Sequence, residues 1–329
     1  MRAGLPKILI TGGAGFIGSA FTRLLTRERH KVIVIDKLTY AGDLKRLKDI
    51  KGRYKFYKAD ICNNKLIDLI FKKERPAIVV NFSAETHVDR SILDATAFIK
   101  TNVIGTQVLL DTSRKYKINK FIQISSDEVY GDIKKGSFSE SSPLKPNSPY
   151  AASKAGADLL VRTYIRTYGF PAIIIRPCNN YGPWQYPEKL IPLAILKILR
   201  KEKIPVYAKG NNVREWLYVD DCAKGILQIL KKGRLGHVYN LGSGEVKQNI
   251  ETIRMLLRIL CVPESAVKFV KDRPGHDIRY SLNSRKVFSE IKWSSRVKLE
   301  EGLKLTVHWC LLQKGWLFSK WKNISQLYK

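Results

Sequence analysis

Two carboxylates stand side by side in the stretch SSDEVYG, which covers residues 125–131. Asp127 and Glu128 follow the apolar run of residues 121–124, so a buried strand is predicted to end on them. Like charges at such a place repel each other and resist desolvation, and both effects raise the pKa of a carboxyl group. One carboxyl can then stay protonated while the other is ionised, as a general acid and a general base require. The pair therefore predicts acid–base chemistry at the mouth of a sheet.

A tyrosine and a lysine four residues apart form a second candidate group. Tyr150 and Lys154 lie in SPYAASKAGAD, and this spacing places both on one face of a helix. A tyrosine with its ordinary pKa of about 10 is a poor base at neutral pH. A neighbouring ammonium stabilises the phenolate and is expected to lower that pKa. Beside a dinucleotide site, the pattern predicts hydride chemistry at a carbinol carbon.

A glycine-rich turn supplies the predicted dinucleotide site. The strand ILIT runs into GGAGFIGSAF, which spaces Gly12, Gly15 and Gly18 across a strand-to-helix turn. Glycine lets backbone N–H groups approach a pyrophosphate at the positive end of the helix. Asp36 ends the next predicted strand, where its carboxylate can accept from ribose hydroxyls and would repel a 2′-phosphate. We therefore expect NAD rather than NADP, with Asp60 near the adenine.

The elements that must position these residues alternate along the chain. KILITGG, KVIVID, YKFYKAD, AIVVNFSA, FIQISS and AIIIRP are predicted strands. SAFTRLLTRER, NKLIDLIFKKER and TNVIGTQVLLDTSRKY carry apolar residues at helical spacing. Repeated β-α-β units predict an α/β fold, a Rossmann-like doubly wound parallel sheet with helices on both faces. Ligands of such sheets bind beyond the carboxyl ends of the strands, where SSDEVYG falls.

The pattern loosens after residue 176, which predicts a second lobe. A predicted loop is punctuated by Pro177, Gly182, Pro183, Pro187 and Pro192. A helix is then expected over residues 193–201. We place an NAD-binding Rossmann domain at residues 1–178, with a returning strand near residues 236–242. A smaller C-terminal substrate-binding α/β lobe is placed at residues 179–329.

Composition is that of an ordinary globular protein. Of the 329 residues, 44% are hydrophobic and 27% are charged, so the chain can bury a full core. No apolar run is long enough to cross a membrane. Arg2 and Lys7 precede an apolar stretch, but the glycine spacing inside it favours a mature fold over a signal peptide. We expect a cytoplasmic protein.

The net charge of +30 is the one unusual global value. Such a charge can indicate nucleic-acid or membrane-surface binding. The basic residues are spread along the chain without a long basic arm, so neither nucleic acid nor membrane is expected as a partner. The five cysteines form no CxxC pair, which disfavours a disulfide framework and a zinc site: Cys62, Cys178, Cys222, Cys261 and Cys310.

Several motifs carry a family resemblance that covers nearly the whole chain. TGGAGFIGS, YAASK and the alternating pattern resemble the extended short-chain dehydrogenase/reductase superfamily. Within it, DKLTYAGDL, ETHVDRS, SSDEVYG, NNYGPWQYPEKLIP, REWLYVDD and DRPGHDIRY are similar to the dTDP-glucose 4,6-dehydratase family. These motifs run from residue 11 to residue 280. The Asp-Glu pair and DRPGHD are the specific ones, whereas the glycine turn and Tyr-x-x-x-Lys are shared across the superfamily.

The resemblance implies a lyase that uses NAD to dehydrate a nucleoside-diphosphate glucose. Tyr150, next to Lys154, would take the proton of the sugar 4-hydroxyl while the C4 hydride passes to NAD+. Glu128 would then remove the C5 proton, and a protonated Asp127 would donate to the departing 6-hydroxyl. Return of the hydride to C6 gives a 4-keto-6-deoxy sugar. Ser126 stands where the family usually has threonine. The missing methyl group loosens the side-chain rotamer, so a slower oxidation step is expected. Its hydroxyl can still hydrogen-bond the sugar 4-oxygen, so the step is not expected to be lost.

The resemblance also implies the ligand-binding residues and a homodimer built from helices at residues 101–116 and 150–168. Expected cofactor-binding residues are Gly12, Gly15, Phe16, Ile17, Gly18, Asp36, Lys37, Leu38, Thr39, Asp60, Ile61, Phe82, Ser83, Ala84, Thr86, Thr101, Tyr150, Lys154 and Asn180. Expected substrate-binding residues are Thr86, Ser126, Asn179, Lys189, Leu190, Pro205, Val206, Tyr207, Arg214, Asn249, Asp272, Arg273 and His276. No metal site is expected, because His87 and His276 lie in no HxH or HExxH spacing.

Two alternatives stay open beside a dTDP-glucose dehydratase. One is another nucleotide-sugar enzyme that works through a 4-keto intermediate, such as an epimerase, a decarboxylase or a dehydratase of UDP-glucose. The other is a basic NAD-binding protein that regulates or binds RNA without catalysis. The Asp127–Glu128 pair disfavours an epimerase or decarboxylase, and the intact set of catalytic positions disfavours a non-catalytic protein.

Overall fold

The structure is a computed structural model that describes residues 6–325. Arg2 and the outer ends of the two predicted domains lie outside these residues. The strands of residues 6–325 are β1 (Lys7–Thr11), β2 (Lys31–Asp36), β3 (Tyr54–Lys58), β4 (Ile78–Asn81), β5 (Lys120–Ile124), β6 (Ala172–Pro177), β7 (Asn179–Tyr181), β8 (Ile204–Tyr207), β9 (Val213–Tyr218), β10 (Val238–Leu241), β11 (Val246–Gln248) and β12 (Val267–Val270).

Helices fill most of the connections between these strands. In residues 6–325 they are α1 (Phe16–Arg27), α2 (Asn64–Glu74), α3 (Val88–Leu93), α4 (Thr96–Phe98), α5 (Gly105–Lys115), α6 (Pro149–Tyr168), α7 (Leu190–Leu199), α8 (Val219–Lys232), α9 (Asn249–Ile259), α10 (Leu299–Leu312), α11 (Lys314–Ser319) and α12 (Trp321–Ile324). No helix in this part of the chain is both long and apolar enough to span a bilayer.

Seven strands form the main sheet in the order β10-β6-β5-β4-β1-β2-β3. Every neighbouring pair in it is parallel. The strand order reverses between β1 and β4, which makes the sheet doubly wound and opens a crevice there for ligands. The predicted Rossmann-like α/β fold is confirmed. The six strands expected from the sequence form the sheet, and β10 lies where a returning strand was predicted near residues 236–242, at the edge beside β6.

Alternating side chains give this sheet a core on each face. Ile8 and Val34 pack into one buried cluster with α1 and α8, whereas Leu9 and Ile33 pack into another with α2 and α5. Successive residues of a strand point to opposite faces, so strands covered on both faces are apolar throughout. This explains the uninterrupted runs of β-branched residues in the sequence.

A smaller lobe covers the carboxyl end of the sheet. It contains a three-stranded sheet, β11-β9-β7, and a two-stranded parallel sheet of β12 and β8. Its own buried cluster joins side chains of α7, α9, α10 and α11. The expected smaller α/β lobe is therefore present, and its strands meet the main sheet where β6 leads directly into β7.

Two sequence-based expectations for this lobe were wrong in detail. The helix expected over residues 193–201 begins earlier, at Leu190, and ends at Leu199. Pro192 does not prevent this, because it lies in the first helical turn, where a backbone N–H has no intrahelical acceptor. The residues just before it were expected to be loop, but Asn179–Tyr181 pair in parallel with β9.

Candidate active site

Two adjoining cavities open at the carboxyl ends of β1, β4, β5 and β6. The smaller, of about 250 Å³, lies between the glycine turn and SSDEVYG, and the larger, of about 430 Å³, lies under the smaller lobe. Glu128 and Lys189 line both, so the two cavities form one continuous cleft. A third pocket, of about 90 Å³, runs from the glycine turn past Asp36. The five predicted catalytic residues all line the 250 Å³ cavity: Ser126, Asp127, Glu128, Tyr150 and Lys154.

The carboxylate pair is placed by a short 3-10 helix, Asp127–Tyr130, that starts directly after β5. Ser126 caps this helix, since its Oγ accepts a hydrogen bond from the Glu128 backbone N–H at 3.3 Å. The same hydroxyl donates to Asp127 Oδ1 at 3.2 Å. Tyr280 reaches Glu128 from the smaller lobe, with its hydroxyl 3.5 Å from Glu128 Oε2. The pair is thus held by groups from both sides of the cleft.

The two carboxyl groups differ in their electrostatic surroundings. Burial, followed by the neighbouring carboxylates of Glu128 and Glu215, holds the pKa of Asp127 well above its usual range. Burial also raises the pKa of Glu128, but the guanidinium groups of Arg273 and Arg214 oppose that rise. Both carboxyl groups are thus shifted toward the protonated form, but neighbouring carboxylates add to the shift at Asp127 whereas arginines oppose it at Glu128. Asp127 is therefore the candidate acid and Glu128 the candidate base.

Tyr150 and Lys154 stand on the first two turns of α6. The helix begins at Pro149 because the Ser148 hydroxyl accepts from the Ala151 backbone N–H at 3.1 Å, and proline suits the first helical position. The ammonium of Lys154 donates to the carbonyl oxygen of Ile124 at 2.6 Å, at the end of β5. The start of α6 is thereby tied to the strand that carries the carboxylate pair.

Burial dominates the protonation of this tyrosine and lysine. It raises the pKa of Tyr150 above its ordinary value; the Glu128 carboxylate adds to the rise, and a hydrogen bond with Ser126 opposes it. Burial lowers the pKa of Lys154 to about 8. The expected lowering of the tyrosine pKa by Lys154 is not met, because desolvation outweighs it. Forming a phenolate here requires more positive charge beside the ring than Lys154 alone supplies.

The glycine turn has the geometry that a pyrophosphate site requires. Gly12 adopts φ +67°, and a Cβ at Gly18 would overlap the Gly12 carbonyl oxygen. The Asp36 carboxylate accepts from the backbone N–H groups of Ala14 at 2.9 Å and Leu38 at 2.8 Å, which fixes it beside the turn. The predicted residues that line the 250 Å³ cavity on this side are Gly12, Gly15, Phe16, Ile17, Gly18, Phe82, Ala84, Thr86 and Asn180.

The 90 Å³ pocket brings together Asp36 and Asp60, which were expected at the adenosine, with other expected cofactor-binding residues. Its lining includes Asp36, Lys37, Thr39, Asp60, Ile61, Ser83 and Thr101. The Lys37 ammonium lies 2.8 Å from the Asp60 carboxylate, so both charges are engaged with each other. Leu38 differs from the others, because it does not line any of these three cavities and contributes its backbone N–H to Asp36.

The 430 Å³ cavity brings together most of the expected substrate-binding residues. Arg214 is held by the carbonyl oxygen of Asp277, to which it donates at 2.9 Å, and Arg273 forms an ion pair with Asp89 at 2.9 Å. Asp272 does not line the cavity; its carboxylate is 2.6 Å from Nδ1 of the lining residue His276. The expected residues that do line it are Asn179, Lys189, Leu190, Pro205, Val206, Tyr207, Arg214, Asn249, Arg273 and His276.

Buried polar atoms along the cleft call for a polar ligand. Within residues 6–325, the following have no hydrogen-bond partner: Asp127 Oδ2, Asn179 Oδ1, Asn180 Oδ1, Asn249 Oδ1 and Arg273 Nε. Buried polar groups are normally hydrogen-bonded, so such a concentration is expected where a ligand supplies the partners. The donors and acceptors present fit a dinucleotide along the glycine turn and a nucleotide sugar beyond it. No cluster of metal-ligating side chains occurs in the described part of the chain.

Sequence reasoning missed several residues that line the cleft. Gln185, Glu188 and Tyr280 lie within the motifs NNYGPWQYPEKLIP and DRPGHDIRY, so those motifs held a signal that could have identified them. Arg46 also lines the 250 Å³ cavity, but nothing in the sequence distinguishes it as a cleft residue among the 59 lysines and arginines of the chain. Its burial is visible only in the structure.

Comparison with known proteins gives consistent matches over nearly the whole chain. The family model described as GDP-mannose 4,6 dehydratase matches residues 9–306. A "dTDP-glucose 4,6-dehydratase" of Neisseria meningitidis serogroup B is 43% identical, with 97% of this chain and 96% of the relative covered. A "Probable dTDP-glucose 4,6-dehydratase" of Sinorhizobium fredii is 44% identical, with 94% of each covered.

Solved structures resemble the whole fold. The dTDP-glucose 4,6-dehydratase DesIV of Streptomyces venezuelae, solved with NAD bound, has a TM-score of 0.92 and 46% identity, with 94% of this chain and 98% of that chain covered. A UDP-glucose 4-epimerase of Thermotoga maritima, solved with UDP-glucose, has a TM-score of 0.88 and 32% identity, with 94% and 99% covered.

Proposed function

The chain belongs to the nucleotide-sugar dehydratase family that the GDP-mannose 4,6-dehydratase model describes, and we propose that it converts dTDP-glucose to dTDP-4-keto-6-deoxyglucose with NAD as its cofactor. The protein is a hydro-lyase in this account. The observation that carries the proposal is the contrast between Asp127 and Glu128 within a single cavity: neighbouring carboxylates add to the raised pKa of Asp127, whereas arginines oppose the rise at Glu128. Elimination of water from a sugar requires such a pair.

Tyr150 and Ser126 act on the 4-hydroxyl of the sugar. Both side chains line the 250 Å³ cavity, so a sugar hydroxyl placed between them can lose its proton to the phenolate of Tyr150. NAD held in the cleft would accept the C4 hydride and return it to C6, and in that last step Glu128 would give back to C5 the proton that it took. Lys154 stays fixed to the carbonyl oxygen of Ile124 and keeps a positive charge at the cavity that Tyr150 also lines.

Asp127 and Glu128 carry out the elimination. A ketone at C4 acidifies the proton on C5, and the Glu128 carboxylate removes it. Asp127 donates its proton to the departing 6-hydroxyl, which leaves as water. Asp127 lines the 250 Å³ cavity and Glu128 lines both cavities, so a sugar beside them faces the glycine turn on one side and the smaller lobe on the other.

The smaller lobe binds the nucleotide diphosphate. Arg214, Arg273 and Lys189 bring three cations to the 430 Å³ cavity. Guanidinium groups suit phosphate oxygens because their planar fork can form two parallel hydrogen bonds. Tyr207, in β8, lies at the same cavity, where its ring can contact the base.

Product mass tests the proposal directly. We would incubate the purified protein with dTDP-glucose and separately with UDP-glucose, without added NAD and then with NAD, and follow product mass. The proposal expects a product lighter by one water from dTDP-glucose. An isobaric product would indicate an epimerase instead. No turnover with either donor, together with salt-sensitive RNA binding, would support the non-catalytic alternative.

We extend the proposal to a homodimer in the cytoplasm. Exposed apolar side chains on and beside α5 and α6 support the dimer: Ile99, Ile104, Leu159 and Tyr168. The five cysteines are free thiols, which suits a reducing compartment. Fractionation of cells that express the tagged full chain tests the location, and light scattering tests the dimer.

A further inference from the structure

Arg46 is a buried arginine that joins three segments of the cleft. It lies in the 3-10 helix Leu44–Ile50 after β2, and only 1% of it is exposed. Its Nη1 donates to the carbonyl oxygens of Ala14, at 2.8 Å, and Ala41. Its Nε donates to the carbonyl oxygen of Trp184 at 3.1 Å. One guanidinium therefore contacts the glycine turn, the loop after β2 and the smaller lobe.

This guanidinium has no counter-charge at contact distance. No carboxylate of residues 6–325 lies within 4.0 Å of it, and its Nη2 has no hydrogen-bond partner in that part of the chain. Burial lowers the pKa of Arg46 to about 10, so it remains a cation at neutral pH. A buried charge without a counter-charge at contact distance is costly, and an anion brought by a ligand would reduce that cost.

The cavity beside Arg46 is built to receive an anion. Arg46 lines the 250 Å³ cavity together with Gly12, Gly15 and Gly18 of the glycine turn. The 12-residue helix α1 starts there after Gly15, with no acidic residue in its first turn and no side chain capping its N–H groups. The positive end of a helix and an arginine that has one nitrogen without a hydrogen-bond partner thus line the same cavity.

We propose that Arg46 Nη2 donates a hydrogen bond to the pyrophosphate of the bound dinucleotide. The inference rests on the proposed function, since it assumes that the cleft holds NAD. A pyrophosphate is the fitting ligand group because it is anionic, offers several acceptor oxygens and must lie at the start of α1. Arg46 thereby becomes a cofactor-binding residue in addition to its three contacts with backbone carbonyls.

Ligands with and without a pyrophosphate separate binding from a structural role. We would measure, by calorimetry and competition, how full-length protein stripped of cofactor binds ADP-ribose and adenosine. Arg46→Met is expected to weaken ADP-ribose binding about ten- to a hundred-fold, the value of a hydrogen bond to a charged group. Adenosine binding should change by less than about three-fold, since it makes no contact with the lost nitrogen.

Two further variants complete the design. Lys45→Met removes the same charge from an exposed position of the same 3-10 helix and should leave both affinities unchanged. Arg46→Lys keeps the charge and is measured as well, in case the loss of the carbonyl contacts prevents Arg46→Met from folding. Arg46→Lys should also lose affinity selectively for ADP-ribose, because one ammonium cannot serve three carbonyls and a phosphate.

The outcomes distinguish this inference from the proposed function. If wild-type protein binds neither ADP-ribose nor NAD, the dinucleotide site itself is refuted. If the wild type binds both, equal losses for ADP-ribose and adenosine in the Arg46 variants would show a purely structural role and overturn the inference. Unchanged ADP-ribose affinity in a folded Arg46 variant would overturn it too.

Discussion

Asp127 and Glu128 are neighbours in the chain, and their different roles come from what surrounds them. Asp127 faces other carboxylates, including Glu215, whereas Glu128 faces the arginines of the smaller lobe. Adjacent carboxyl groups can be assigned as acid and base when their environments push their pKa values apart. The sequence predicted the pair and its chemistry, but Glu215 and Tyr280 are distant in sequence, so only the fold could reveal the asymmetry.

Replacing the proposed base tests this assignment. Glu128→Gln keeps the shape of the side chain but cannot accept a proton from C5. Dehydration should fall by about a hundred- to ten-thousand-fold. Oxidation at C4 does not need this carboxylate, so reduced nicotinamide should accumulate when substrate is added. Glu300→Gln on the exposed face of α10 is the matched control. Full dehydratase activity in Glu128→Gln would refute the assignment.

The raised pKa of Asp127 should make the stability of the protein depend on pH. A carboxyl whose folded pKa is raised contributes most below its unfolded pKa of about 4, and the contribution is lost as pH rises through the folded pKa. Asp127→Asn has no titrating carboxyl at this position, so the variant does not lose this stability as pH rises. Its melting temperature relative to wild type should therefore rise with pH, on the order of 3 °C per pH unit within that interval.

Calorimetry from about pH 4, the unfolded pKa of a carboxyl group, up to about pH 8 measures this difference. Asp94→Asn is the control, because a hydrogen bond from the Thr96 backbone N–H lowers the pKa of Asp94. The stability from a lowered pKa is lost only below the unfolded pKa of about 4, so the melting-temperature difference of this variant should stay nearly constant over the same range. A melting-temperature difference for Asp127→Asn that stays constant or falls with pH would contradict the account.

At the scale of elements, the parallel sheet was predictable and the smaller lobe was only partly so. Strands covered on both faces are apolar throughout, which made each run in the main sheet visible in the sequence. In the smaller lobe, β7 has three residues and α7 contains a proline, so neither gives a clear local pattern. These elements depend on contacts with β9, α9 and α10 that local sequence does not encode.

The packing of α10 on β7 offers a test of that dependence. A Cβ on Gly302 of α10 would overlap the Tyr181 hydroxyl, and Tyr181 ends the strand that carries Asn179. Gly302→Ala should therefore destabilise the protein by about 1–3 kcal/mol, or roughly 2–10 °C in melting temperature, and weaken substrate binding.

Gly315→Ala is the matched control for this substitution. Gly315 lies in α11, where a Cβ would meet nothing within 4 Å, so alanine should be neutral or stabilising by up to about 1 kcal/mol. Thermal unfolding of both variants decides the point. Equal melting temperatures for the two variants would show that the contact between Gly302 of α10 and Tyr181 of β7 has room for a methyl group.

At the scale of the whole molecule, the net charge of +30 and the exposed apolar faces act in opposite directions. Two chains of that charge repel each other, and salt screens the repulsion. A dimer forms only if the free energy gained by burying apolar surface of α5 and α6 between two chains exceeds this electrostatic repulsion. We therefore expect a dimer that is weaker at low ionic strength than at high ionic strength.

A charge placed in this face should separate the chains. Leu159 on α6 is 51% exposed, and Leu159→Glu would place a carboxylate inside the proposed interface. Light scattering should then give the mass of one chain, whereas wild type gives two. Leu312→Glu, at a leucine 68% exposed on α10, should leave the dimer intact. Dimers in both variants, or a monomeric wild type, would refute the interface.

The path of a single hydride tests the central claim most directly. Wild-type protein would be given dTDP-glucose that carries deuterium at C4, and the product analysed by mass spectrometry and NMR. An internal redox cycle with elimination by Asp127 and Glu128 predicts a product one water lighter that retains the deuterium, now bound to C6. A product that has lost the deuterium, or that keeps it at C4 with the 6-hydroxyl still present, would contradict the account.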